Sequence, residues 1–201
     1  MNTVILADGK FPRHEIPLSY IKNADKIICC DGASNKLISK GIIPYAIIGD
    51  CDSISPENRE KYSHIIKHIA DQYTNDLTKA VKYCVQSGIK EVVILGATGK
   101  REDHTIANIG LLFSYIDLLN VKMITNHGIF TPIKETTIFE SFPNQQISLF
   151  SNDNQPIISE GLQYPLDKLV LNEWWMGTLN KSLSDSFKII PQGKVIVYQA
   201  Y

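Results

Sequence analysis

Two hydrophobic patterns alternate through the first 127 residues. Near-continuous apolar runs recur at 4–6, 26–30, 46–48, 91–95 and 121–124. Runs of this kind read as strands covered on both faces. Between them lie helical patterns at 33–39, 56–62, 76–86 and 103–119. In the third, Leu77, Ala80, Val81, Cys84 and Val85 form one apolar stripe at helical spacing. Ser55, Pro56 and Glu57 read as a helix start, with a cap, Pro at the first helical position and an early acid. Strand and helix in alternation predict an α/β domain over 1–127, with a mostly parallel sheet flanked by helices.

From residue 128 the pattern changes. TTIFE, QQISLF, QPIISE, DKLVLN, SFKII and KVIVYQAY are short and β-rich, and Gly, Pro, Asn and Asp separate several of them. This predicts a small C-terminal antiparallel β-sandwich domain over 128–201. The Trp174–Trp175 pair reads as core of that unit, and the segment from Trp175 to Ser182 as a turn between strands.

Charge removes several function classes. Twenty basic residues stand against 21 acidic ones, a net charge of −1, so no basic excess points to a nucleic acid. No apolar run approaches the ~20 residues that cross a bilayer. The first 15 residues read as a first strand rather than a signal peptide. Four cysteines without CxxC spacing suggest reduced thiols in a cytoplasmic protein.

The candidate chemistry sits at strand ends. Gly49-Asp50-Cys51-Asp52-Ser53 follows the third strand, and ligands of open α/β sheets bind at the carboxyl ends of strands. Two carboxylates at i and i+2 suit a hard divalent cation such as Mg²⁺. Asp31-Gly32-Ala33-Ser34-Asn35 follows the second strand. Asp71 to Asp76 follows the apolar-flanked HIIKHIA segment and opens a helix. Gly96 to His104 follows EVVILG. Each acid alone is a turn or cap residue, but together they form an acidic ring that repels itself unless cations occupy it. Ile94 and Arg101 stand where a P-loop needs Gly and Ser or Thr, and no GxGxxG occurs. Lys100 and Arg101 near a helix start are either a polyphosphate contact or a solvated basic turn. No Cys–His or Ser–His pair has catalytic spacing.

In combination, DGASN (31–35), GDCDS (49–53), DQYTNDLTKA (71–80), GATGKREDH (96–104), GLQYPL (161–166) and GTLN (177–180) resemble the thiamine pyrophosphokinase family, in order and spacing over nearly the whole chain. The resemblance implies an α/β domain followed by a β-sandwich domain that binds thiamine and dimerises. It implies transfer of the pyrophosphoryl group of ATP to the hydroxyethyl oxygen of thiamine, with Mg²⁺, in a homodimer whose sites are shared between subunits. Asp50, Asp52 and Asp76 would be the catalytic and metal-holding acids. Asp31, Gln72, Arg101 and Asp103 would bind ATP and its phosphates. Asn180 and Thr178 would contact thiamine. Tyr73 stands where the family often has a second acid, and Leu179 where a Ser often precedes the Asn. The alternatives are another Mg²⁺-dependent phosphotransferase and a non-catalytic thiamine or nucleotide sensor.

Overall fold

The computed structural model describes residues 2–71 and 73–201. The chain divides into two compact units, residues 1–111 with 118–126, and 112–117 with 127–201.

In the first unit, strands β1 (Thr3–Leu6), β2 (Lys26–Cys30), β3 (Ala46–Gly49), β4 (Ile66–His68), β5 (Glu91–Leu95) and β6 (Asn120–Ile124) lie in the order β6-β5-β1-β2-β3-β4. Every neighbouring pair in this run is parallel. All four residues of β1 and of β3 are buried, as expected of strands covered on both faces. The order reverses at β1. The chain steps outward through β2, β3 and β4, then returns to place β5 on the other side of β1. The crevice between β1 and β5 is therefore a topological switch point.

The helices are α1 (Glu15–Lys22), α2 (Ala33–Ile38), α3 (Pro56–Lys61), α4 (Asp76–Gln86) and α5 (Glu102–Tyr115). Ser55 caps α3 as the sequence predicts, its hydroxyl accepting the Asn58 N–H. The helix α1 has no counterpart in the hydrophobic pattern, because it is short and carries Pro17. It forms because Pro17 falls in the first turn, where no N–H is needed, and His14 Nδ1 accepts the Ile16 N–H. The helix α5 stops at Tyr115, short of the predicted 119. Lys194 Nζ donates to the Phe113 carbonyl and pairs with Asp117, and these contacts satisfy the helix end.

The second unit is a sandwich. One sheet run is β12 (Asn180–Lys181), β9 (Gln146–Ser151), β14 (Val195–Ala200) and β7 (Gly128–Ile133). The other sheet is β11 (Leu169–Val170), β10 (Pro156–Glu160), β13 (Ser186–Pro191) and β8 (Thr137–Glu140). All pairings within each are antiparallel. Ile147 and Leu149 of β9 and Val195 and Val197 of β14 meet Ile157, Phe187 and Ile189 from the opposite sheet in one buried cluster. Alternation selects these residues, since every second side chain of a strand faces the same way. No helix among the described residues is long and apolar enough to cross a membrane.

Candidate functional site

The acidic residues at the strand ends of the first unit are laced into one edge by the two Asp-rich motifs. Asn35 is the lacing residue. Its Oδ1 accepts the Ser55 N–H and the Asn58 side-chain amide, while its Nδ2 donates to the Ser53 carbonyl at 2.8 Å. The Ser34 hydroxyl donates to the Asp31 carbonyl, and the Ser53 N–H donates to Asp31 Oδ2 at 3.2 Å. The loop after β2 therefore fixes the loop after β3.

Asp31, Asp50 and Asp76 each offer an oxygen, and these oxygens lie within 4.8 Å of one another. Gly49 permits the approach. A Cβ built there would sit 3.0 Å from the Asp31 Cβ and 3.2 Å from the Asp76 carboxyl carbon. Asp31 is buried, at 4% exposure, and its Oδ1 has no hydrogen-bond partner among the described residues. Its carboxyl is pushed up to about 6, first by burial, against the Ser53 N–H, then by the neighbouring Asp52 and Asp76 carboxylates. Asp31 and Cys51 hold positive φ angles of 32° and 65°. Strained backbone of this kind persists only where the surroundings enforce it, and it collects at functional sites.

Asp52, expected beside Asp50 on a common ion, lies outside the three-oxygen cluster. Cys51 between them is left-handed, and the Asp52 carboxylate stands beside those of Asp31 and Asp50. Asp50 Oδ1 instead accepts the Asp52 N–H at 3.4 Å, and Asp52 Oδ1 accepts the Ser53 hydroxyl at 2.8 Å. Asp52 is exposed, and its carboxyl is held below the usual range by Ser53 first and by its neighbour Asp31. Asp71 is a turn residue, its carboxylate accepting the Tyr73 N–H and the Thr74 hydroxyl. Asn75 caps α4, which sets Asp76 at the first helical position. Gln72, expected near the phosphates, lies outside the described residues. Tyr73 is fully exposed.

The hydrophobic stripe of α4 misses one buried residue. Lys79 is only 4% exposed, and its Nζ lies 3.0 Å from Asp76 Oδ1, while Val85 of the expected stripe is exposed. Burial pulls the Lys79 ammonium toward neutrality. The Asp76 hydrogen bond and charge, with Asp50 and Asp71, outweigh that and hold it above its usual range.

Beside the acidic cluster, a cavity of about 360 Å³ opens between the loops after β1 and β5. Asp8, Gly9, Lys100 and Arg101 line it, together with Cys30 and with Asp76 of the acidic cluster. Asp8 pairs with Lys100 at 3.0 Å. Arg101 grips Asp103 with two hydrogen bonds, and that grip, with the His104 N–H, takes the Asp103 carboxyl down to about 2. Asp103 therefore orients the guanidinium from outside the lining. Sequence reasoning missed Asp8 and Lys79. The signal for Asp8 was present, since Asp8-Gly9 repeats after β1 the Asp31-Gly32 pair that follows β2. Burial pushes the Cys30 thiol well up and that of Cys84 to about 12, which leaves both inert as nucleophiles.

In the second unit, Asn180 is buried and already engaged. Its Oδ1 accepts the N–H groups of Tyr164 and Lys181, and its Nδ2 donates to the Tyr164 carbonyl at 2.7 Å. It ties the GLQYPL segment to the GTLN turn. The Thr178 hydroxyl donates to the Trp175 carbonyl. Gly177 lies so close to β9 that a Cβ would meet the Leu149 carbonyl oxygen at 2.1 Å. Leu179, at φ 62°, is exposed. The tryptophans are not core. They lie on a 3-10 turn, Trp174–Gly177, with Trp175 at 72% exposure, because Gly177 and Met176 take the inward positions.

Both units match known protein families. The family model for the thiamin pyrophosphokinase catalytic domain matches residues 18–124, and that for the substrate-binding domain matches residues 128–198. The chain belongs to the thiamin pyrophosphokinase family. It is a transferase with ATP as co-substrate. It is 29% identical to a thiamine pyrophosphokinase of Bacillus subtilis over 180 residues, 83% of each chain. The fold matches a crystal structure of thiamine pyrophosphokinase from B. subtilis, with a TM-score of 0.81 at 21% identity over 99% of each chain. It also matches the thiamin pyrophosphokinase of Candida albicans, at 0.82 and 20% identity over 99% of this chain and 89% of that one.

Proposed function

We propose that the first unit carries out pyrophosphoryl transfer from ATP to the hydroxyethyl oxygen of thiamine, releasing AMP, with Mg²⁺ held at its acidic edge. The observation that carries the metal reading is Asp31. A buried carboxylate oxygen without a partner, facing two more carboxylates, is costly unless a cation completes it. The donor set is all oxygen, as hard divalent cations prefer. Asp31, Asp50 and Asp76 would hold the ion, with Asp52 at the rim beside them. When bound, Mg²⁺ neutralises charge on the phosphate oxygens.

The chain's own groups supply the rest. Lys100 and Arg101 bind the polyphosphate in the cavity, and Asp103 holds the guanidinium in place. The thiamine hydroxyl oxygen attacks the β-phosphorus in line, and the bond from that phosphorus to the bridging oxygen of AMP breaks. The hydroxyl proton passes to a carboxylate of the acidic edge. Such transfers need positioning and charge neutralisation more than covalent catalysis. Asn180 shapes the turn on which Thr178 and the exposed Trp175 meet thiamine, whose thiazolium cation suits an aromatic wall. The protein works in the cytoplasm as a homodimer, each site joining the first unit of one subunit to the second unit of the other.

Incubation with ATP, Mg²⁺ and thiamine should yield AMP and thiamine diphosphate in equal amounts. Release of phosphate or ADP would overturn the reaction, and binding without turnover would favour a sensor. For the shared site, an Asp76→Asn chain co-expressed with one lesioned in the 178–180 turn should regain about a quarter of wild-type activity, since about half the dimers are mixed and each has one intact site. Mixed dimers that stay inactive would overturn it.

A further inference from the structure

A buried lysine is rare unless paired, and Lys79 is paired inside the group of acids assigned above to the metal. It lies three residues after Asp76 on α4, so the two share a helix face. Asp31, Asp50 and Asp76 carry three negative charges when ionised, and the Lys79 ammonium, paired with Asp76, offsets one of them. We infer that Lys79 is the resident counter-ion of this cluster: it holds the three carboxylates together before the metal arrives, and by occupying Asp76 Oδ1 it weakens the site's grip on a free divalent cation. The inference rests on the metal reading above.

Ammonium and metal are thermodynamically linked. The ammonium and the divalent cation are drawn to the same carboxylates and repel each other, so each lowers the other's affinity. A site tuned in this way retains little free metal and fills when phosphate oxygens add their own ligation. Lys79 is thus a positioning residue, with its effect read on metal affinity rather than on chemistry.

The test is Mn²⁺ binding to the nucleotide-free protein, by electron paramagnetic resonance and by metal-induced shift in melting temperature. Lys79→Met should melt lower than wild type in chelator, yet bind Mn²⁺ about fivefold or more tightly and gain a larger upshift from it. Lys79→Gln carries the same expectation should the Met variant fail to fold. Lys79→Arg, which keeps the charge, should stay within about twofold of wild type. Asp50→Asn should abolish the binding in every background. If wild type binds Mn²⁺ and neither neutral variant binds it more tightly, the role of Lys79 is overturned and the metal site stands. If no protein binds it, or if binding survives Asp50→Asn, both readings fall.

Discussion

The acidic edge of the first unit and the Asn180 turn of the second treat buried polar groups in opposite ways. Asn180 is buried with its carbonyl and amide both spent on Tyr164, two segments tied by one side chain. Asp31 is as deeply buried, yet one of its oxygens is unpartnered, its backbone is strained and its neighbours share its charge. A buried group with all its bonds made within the chain stabilises a shape. A buried group left short of bonds marks a place that something else completes. One region is built to hold a loop, the other to hold a ligand.

The largest expected effects test the ligand side. Asp50→Asn and Asp76→Asn should each lower kcat by on the order of 10² or more, because charge is removed where the transition state needs a cation held. Asp50→Asn should keep or raise thermal stability, since crowding among carboxylates is relieved, whereas Asp76→Asn should lower it, because buried Lys79 loses its paired carboxylate. Near-normal turnover in both would dissolve the contrast with Asn180.

Asn180→Ala reverses the pattern. It leaves the Tyr164 N–H and carbonyl without their partner, at a cost of about 1–3 kcal/mol read by denaturant unfolding. Its activity loss should lie in KM for thiamine, with kcat held. A fall in kcat with unchanged stability would give Asn180 a chemical role.

The pH dependence sharpens the comparison on Asp31. An acid whose carboxyl is raised to about 6 binds its proton more tightly in the folded chain than in the unfolded one. Its contribution to the stability of the metal-free protein is therefore present below about pH 4 and lost as pH rises to about 6. Metal binding needs the ionised form, so the melting upshift from Mg²⁺ should shrink as pH falls from 7 to 5. Asp31→Asn should remove that slope, and a slope unchanged in this variant would assign it to another group.

Tyr73 is the smallest case. Its side chain is fully exposed, so Tyr73→Phe should change stability and kcat/KM by under about 1 kcal/mol. A larger loss in kcat would mean that the phenol has taken a chemical role.

Much of this was legible in the chain itself. Five apolar runs became β1, β2, β3, β5 and β6, and the β-rich tail became the sandwich, because hydrophobic period reports local structure directly. The acids at 31, 50 and 76 were found because they follow strands, and strand ends are where such sheets bind ligands. Lys79 was invisible for the converse reason: a charge within a helix reads as solvated, and only its pairing with Asp76 permits burial. Asn180 was legible as a residue but not as a clamp, since Tyr164 lies 16 positions away.

Local pattern therefore determined the elements, their order along the chain and the acids at their ends. Which ends meet was decided by the tertiary structure. Nothing local tells β5 to pair with β1 rather than with β4, yet that pairing brings Asp8 and Lys100, 92 residues apart, into one ion pair in the lining of one cavity. Nor does spacing reveal that Cys51 takes a left-handed φ between Asp50 and Asp52, or that Asp31 joins Asp50 and Asp76 in one cluster. Sequence period fixes where each side chain points on its own element. The meeting of carboxylates from three elements depends on strand order and on backbone angles enforced by packing, and those arise only when the whole sheet forms.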